Sequence, residues 1–171
     1  MKQPLVVFLL ITLALTASLA EETKSAIAPN ASFDKLKTLE GEWVGTMADG
    51  GKEYPASTRF KLMSDGSALM DIMAEGTSYE MVTIFHMDGN QLMGTHYCAS
   101  HNQPRFVAVS GGDPNKVLFK FKDGTNIGPH DGHMQQLAII FDSPDHHIEE
   151  WTYADANGKL TTGRFDFKRK K

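Results

Sequence analysis

Gly41-Glu42-Trp43-Val44-Gly45 opens a run of short alternating segments that continues to the end of this 171-residue chain. From Gly41 onward apolar and polar residues alternate with a period of two, the pattern of strands that bury one face. Ten segments are read as strands: 42–47, 57–63, 68–74, 78–87, 91–98, 105–109, 116–122, 134–141, 147–153 and 160–167. Between them stand Ser64-Asp65-Gly66, Asp88-Gly89-Asn90, Gly112-Asp113-Pro114-Asn115 and Ala156-Asn157-Gly158. These residue types tolerate the positive φ of tight turns, so neighbouring strands are expected to pair as antiparallel hairpins. Parallel pairing would need crossovers of about a dozen residues or more, and none has room.

The faces can be assigned in the same way. In Lys116-Val117-Leu118-Phe119-Lys120-Phe121-Lys122 the residues Val117, Phe119 and Phe121 share one face and the three lysines the other, so the aromatic face is expected inside. Ten meandering strands exceed what an open twisted sheet usually carries, and closure also removes the exposed edges. The predicted fold is therefore all-β: a single antiparallel up-and-down β-barrel of about ten strands with a short N-terminal helix. That helix is expected to be capped by Ser32, with Phe33, Leu36 and Leu39 on one face lying across a barrel end.

Residues 1–20 combine Lys2, an apolar stretch from Leu5 to Leu15, and small residues at Ser18 and Ala20, the three parts of a secretory signal peptide. The apolar stretch falls below the roughly 18 to 20 residues that span a bilayer, which favours cleavage after Ala20 over a retained anchor. A lipoprotein anchor needs a cysteine at the cleavage point, and the chain's one cysteine is Cys98. Export to a periplasm or to the exterior, with no stable membrane anchor after cleavage, is the expectation. Residues 21–31 read as a disordered leader, with a glycosylation sequon at Asn30-Ala31-Ser32, and residues 32–171 as the barrel domain.

With 17 basic and 21 acidic residues the chain has a formal net charge of −4, without the basic excess that nucleic-acid binding requires. The terminal Lys168-Arg169-Lys170-Lys171 is read as a solvated, frayed tail. A lone cysteine makes no intrachain disulfide, so the core must hold the fold without a covalent staple.

Gly41, Trp43 and Gly45 on the first strand after a short helix, together with Arg164 on the last, resemble the calycin group of lipocalin-like and fatty-acid-binding-protein-like barrels. The resemblance implies that Trp43 plugs the closed end, that Arg164 packs over it, and that the barrel is a container. Within the group, Trp43-Val44-Gly45-Thr46 and the strand count are similar to the nitrobindin-like haem barrels and to exported bacterial lipocalin-like proteins. The nitrobindin pattern has a further glycine where this chain has Met47. The family's proximal histidine has no assigned counterpart here, so no haem ligand is carried over.

The densest group of reactive side chains is His96-Tyr97-Cys98-Ala99-Ser100-His101-Asn102-Gln103. His96 and Cys98 share a strand face, and with His101 they offer the nitrogen and sulfur donors that zinc prefers, although His-x-Cys-x-x-His is no established zinc signature. His130 and His133, in the long connection 123–133, are further candidates for a metal or for a flap over the barrel mouth. A nucleophilic Cys98 with His96 as base and Asn102 as orienting group is the enzymatic reading, disfavoured because residues two apart on a strand sit too far apart for a dependable hydrogen bond. The stretch Asp145-His146-His147 is read as an ordinary turn.

Met63, Met70, Met73, Met81, Met87, Met93 and Met134 lie in or beside strands, where pliable thioethers suit either an adaptable cavity or a gap-filled core. Glu149, Trp151 and Tyr153 share a face; Glu149 is either drawn inside, with Arg105 or His96 as partner, or left at the solvent rim, the reading preferred. The leading reading is thus a non-enzymatic exported barrel for a small apolar or amphipathic molecule, with His96, Tyr97, Cys98, Arg105, Trp151 and Met81 as its ligand-binding residues. A haem- or metal-binding barrel and a ligand-free interaction domain are the alternatives. The sequence names no cofactor.

Overall fold

The computed structural model describes residues 30–109 and 112–171; the segment read as a signal peptide and most of the one read as a leader lie outside them. A short helix α1 (Ala31–Lys37) is followed by ten strands: β1 (Gly41–Asp49), β2 (Lys52–Met63), β3 (Ala68–Met73), β4 (Met81–Asp88), β5 (Gln91–Tyr97), β6 (Gln103–Ala108), β7 (Lys116–Thr125), β8 (His133–Ser143), β9 (His146–Ala154) and β10 (Leu160–Arg169). Every strand pairs antiparallel with its chain neighbour, and β1 pairs with β10, which closes the barrel. The fold expected from alternation and turn chemistry is the one observed.

Differences lie at the ends of elements. Asn30, not Ser32, caps α1, its side-chain carbonyl accepting from the Phe33 amide at 3.0 Å. Residues 74–80, expected partly as strand, form turns, while β7 continues to Thr125 and β8 begins at His133, shortening the long connection. The terminal basic run is not frayed throughout. Lys168 and Arg169 are in β10, and Lys170 pairs with Glu42 at 2.7 Å.

Period two sorts the faces as β7 suggested: Val117 and Phe119 are buried, Lys120 and Lys122 exposed. Phe33, Leu36 and Leu39 join the barrel core. Lys35 on the same helix reaches the Pro114 carbonyl at 2.7 Å, so α1 lies across the end of the barrel that carries the β6–β7 turn.

Trp43 plugs that end. It is 1 % exposed, its indole N–H donates to the Leu39 carbonyl at 2.7 Å, and its ring meets His147 edge-on at 4.3 Å between centroids. The arginine over its face is Arg169, with the guanidinium 4.2 Å from the ring centroid. Arg164, expected there from the resemblance, points outward and pairs with Glu150 at 3.0 Å. Register explains the correction: in the β1–β10 pairing Trp43 stands opposite Arg169, whereas Arg164 stands opposite Ala48.

Arg169 also donates to the carbonyls of Glu40 at 2.7 Å and Thr38 at 2.9 Å, tying the helix–β1 connection to β10. Two glycines make this closeness possible. A Cβ at Gly45 would lie 1.8 Å from the Asp166 carbonyl oxygen of β10, and one at Gly41, whose φ is 133°, would lie 2.8 Å from Arg169 Nη1.

Replacing Arg169 by alanine removes a cation–π contact and a set of charge-assisted hydrogen bonds, and is expected to lower the free energy of unfolding by roughly 2 to 3 kcal/mol. Arg164→Ala removes an exposed ion pair and is expected to leave the urea midpoint within error of the parent. Urea denaturation of the two variants checks this, and equal losses would contradict the assignment of Arg169.

Candidate functional site

The inward positions of β2, β3, β4 and β5 carry an unexpected series of polar side chains. Asp71 stands opposite Thr83, and Thr83 opposite His96, in successive antiparallel registers. Thr58 donates its hydroxyl to Asp71 Oδ1, and Thr83 Oγ1 lies 2.9 Å from His96 Nδ1. Across the interior, β9 contributes His147, Glu149 and Trp151 on its inward face. Both oxygens of Glu149 are engaged: Oε2 accepts from Trp151 Nε1 at 2.9 Å and Oε1 from His147 Nε2 at 3.1 Å. His96 joins the two halves by packing on Trp151 at 4.7 Å between ring centroids.

Asp71, Thr83, His96, His147 and Glu149 are all at most 1 % exposed. Three of their atoms, Asp71 Oδ2, His96 Nε2 and His147 Nδ1, find no hydrogen-bond partner among the described residues. Burial makes charge expensive here. It pushes the His96 pKa down from 6.5 to about 4, so the ring is neutral at neutral pH. Burial also pushes the Asp71 carboxyl well above its ordinary value, and the neighbouring Glu149 carboxylate adds to that shift against the opposing Thr58 hydroxyl bond.

Immediately above this belt the barrel opens. At the end opposite α1 a pocket of about 580 Å³ is lined by Met47, Ala56, Met73, Met81 and Phe165, with Tyr54 and Tyr79 at its edge. Its walls and the polar belt occupy consecutive inward positions. Met73 and Met81 are cross-strand partners two residues along from Asp71 and Thr83, and Phe165 is the cross-strand partner of Glu149. With about 3.4 Å of rise per residue, Asp71 lies roughly 7 Å beneath the Met73 layer.

The structure divides the residues singled out from sequence. Met81 lines the pocket, while His96 and Trp151 are buried in and beside the polar belt. Tyr97 points outward at 49 % exposure, and Cys98 lies half-buried in the turn beyond β5. Arg105 is exposed and forked onto Asp123, with Nη2 2.8 Å from Oδ2, so it neither lines the pocket nor neutralises Glu149. Glu149 itself is fully buried, not at the rim, and its partners are His147 and Trp151.

The metal candidates are not brought together. His101 and His130 are exposed, and His133 opens β8 against Phe121 at 4.6 Å. Among the described residues no group of three or more His, Cys, Asp or Glu side chains could hold a metal ion. Asn102, the proposed orienting group, instead donates to the Gly132 carbonyl at 2.9 Å, and His96 is hydrogen-bonded to Thr83.

Asp71, Thr58, Thr83 and His147 went unrecognised in the sequence, although each carried a signal. Asp71 is flanked at two residues by Leu69 and Met73, Thr83 by Met81 and Phe85, and Thr58 by Ala56 and Phe60. A polar residue inside an apolar alternation is a buried polar residue. His147 falls at the first position of the expected strand 147–153 and in the expected turn, where its inward placement is not evident; β9 begins at His146.

Comparison with known proteins agrees on the fold. A Nostoc punctiforme protein of unknown function from the DUF3598 family shares 13 % identity at a TM-score of 0.56, over 79 % of this chain and 48 % of its own. The present chain thus spans about half its length. Rv2717c from M. tuberculosis shares 16 % identity at a TM-score of 0.58, over 85 % of this chain and all of its own. At these identities the likeness is one of fold. No protein-family model matches the chain, and no curated protein matches it by sequence.

The depressed pKa of His96 sets a sign for acid sensitivity. Its neutral form is favoured by folding, so the stabilisation is complete above pH 6.5 and is lost as the pH falls through about 4. The full difference is on the order of 3 kcal/mol. Stability of the parent is expected to fall over that interval, and His96→Gln is expected to flatten the fall. Urea unfolding at a series of pH values measures both, and parallel curves would show that His96 does not drive the loss.

Proposed function

We propose that the protein is an exported, non-enzymatic barrel that holds a small apolar molecule in its mouth pocket. The observation that carries the reading is the pocket itself: about 580 Å³ with walls of Met47, Met73, Met81 and Phe165. Ligand sites are concave and mainly apolar with a few polar groups set to fix orientation, and this volume lies within their usual range. Methionine walls adapt to the shape of a guest at little conformational cost. Export is supported by the charged, apolar and small-residue segments of residues 1–20.

The resemblance to nitrobindin-like barrels raises haem as an alternative, but the donor set does not fit it. No histidine lines the mouth pocket. His147 is enclosed by Trp43, Phe60 and Phe167 in the closed half of the barrel, and His96 is held between Thr83 and Trp151. An enzymatic role for His96 and Cys98 likewise lacks its geometry, since the His96 Nδ1 partner is Thr83.

Nile red, an uncharged dye, provides a direct test. The purified protein is expected to bind it with a blue-shifted emission. Ala56→Trp, which fills the mouth, is expected to weaken binding by about tenfold or more, a loss of roughly 1.4 kcal/mol. Tyr97→Ala, on the outer surface, is expected to leave binding unchanged. Equal dye affinity in the parent and Ala56→Trp would place the apolar site elsewhere and overturn this reading.

A further inference from the structure

We propose that the molecule held in the mouth is an apolar cation, an alkyl chain or ring system bearing a protonated amine, whose head group passes between Met73 and Met81 to reach Asp71 Oδ2. The inference rests on the mouth-pocket reading and specifies the chemistry of its floor. Two buried carboxyl groups adjoin the pocket walls: Asp71 lies one inward position below Met73, and Glu149 stands opposite Phe165. Glu149 is satisfied by His147 and Trp151, whereas Asp71 uses one oxygen for Thr58 and leaves the other without a partner among the described residues. That free oxygen is fully buried on an inward strand position, one inward position below the pocket wall.

The surrounding groups favour a positive head. The buried polar residues are Thr58, Asp71, Thr83, His96, Asn102, His147 and Glu149, a set without lysine or arginine. The nearest candidate cation from the sequence, Arg105, is turned outward onto Asp123. A carboxylate head entering this floor would meet two acids and no fixed cation, whereas an ammonium would meet an acceptor left open for it. Three donors on one ammonium match Asp71 Oδ2 and the hydroxyl oxygens of Thr58 and Thr83 on adjacent strands.

Entry of the cation changes the charge of the floor. The unliganded Asp71 carboxyl is held above its ordinary pKa by burial and by Glu149. An ammonium beside it favours the carboxylate, so amine binding opposes the upward shift that burial and Glu149 impose. The other titratable groups are Glu149, His96 and His147 in the buried belt and Asp49, Tyr54 and Tyr79 around the pocket, and of these His96 is already neutral at neutral pH.

The test is displacement of Nile red near pH 7 by decylamine, decanol and decanoate, each below its micellar concentration. The amine is expected to compete about tenfold or more better than the acid, with the alcohol between them. Asp71→Asn is expected to abolish the preference for the amine while decanol binds as before. The parent's own ranking of amine, alcohol and acid tests the proposal even if Asp71→Asn folds poorly. Binding of decanol with no preference for amine over acid would overturn the cation assignment and leave the pocket reading standing. Failure of all three to displace the dye would overturn both.

Discussion

Trp43 can occupy the closed end of the barrel only because its single polar atom is answered there. The indole N–H reaches the Leu39 carbonyl, the ring edge meets His147, and the ring face lies under Arg169. Each contact fixes a different part of the chain. The Leu39 bond holds the turn that follows the helix against the barrel end; Arg169 ties that connection to the final strand through the Thr38 and Glu40 carbonyls. Gly45 lets β10 approach β1 closely enough for the two to pair. Closure of the sheet and closure of the end are therefore one arrangement, and it commits this half of the molecule to packing.

The other half carries groups that packing alone does not call for. Leaving a buried polar atom unpaired costs about 1 to 3 kcal/mol, and well-packed apolar residues of similar size are often at least as stable as a buried charged network. Thr58, Asp71, Thr83 and His96 nevertheless follow one another around four adjacent strands, with Glu149 facing them. Polar groups that work against stability and gather beneath an apolar opening are what a recognition site requires.

The architecture was legible because it depends on local rules. Alternation in segments such as Val117 to Phe121 and the turn residues between strands define ten antiparallel neighbours without knowledge of any distant contact. Arg164 and Arg169 show where such rules end. Both are on β10, and the choice between them depends on the β1–β10 register, which is set by packing between the two ends of the chain. The same limit hid the site. His96 and Trp151 stood out by residue type, but Asp71 and Thr83 become a site only when the registers of β3, β4 and β5 align them. Arg105 misled in the same way: its charge made it a candidate partner for Glu149, while its actual partner Asp123 comes from the adjacent strand.

Shape and charge are thus assigned to different layers of the open half. The walls, where Met47, Met73 and Met81 stand with Phe165, would discriminate weakly among guests because thioether side chains rearrange at low cost. On the proposed reading, discrimination would come from the layer beneath, where burial magnifies each electrostatic interaction. A floor with two acids and no lysine or arginine among its buried residues separates head groups by sign before it separates them by size. On that reading, a flexible wall over a polar floor would therefore tolerate variety in the apolar body of a ligand while remaining strict about its charged end.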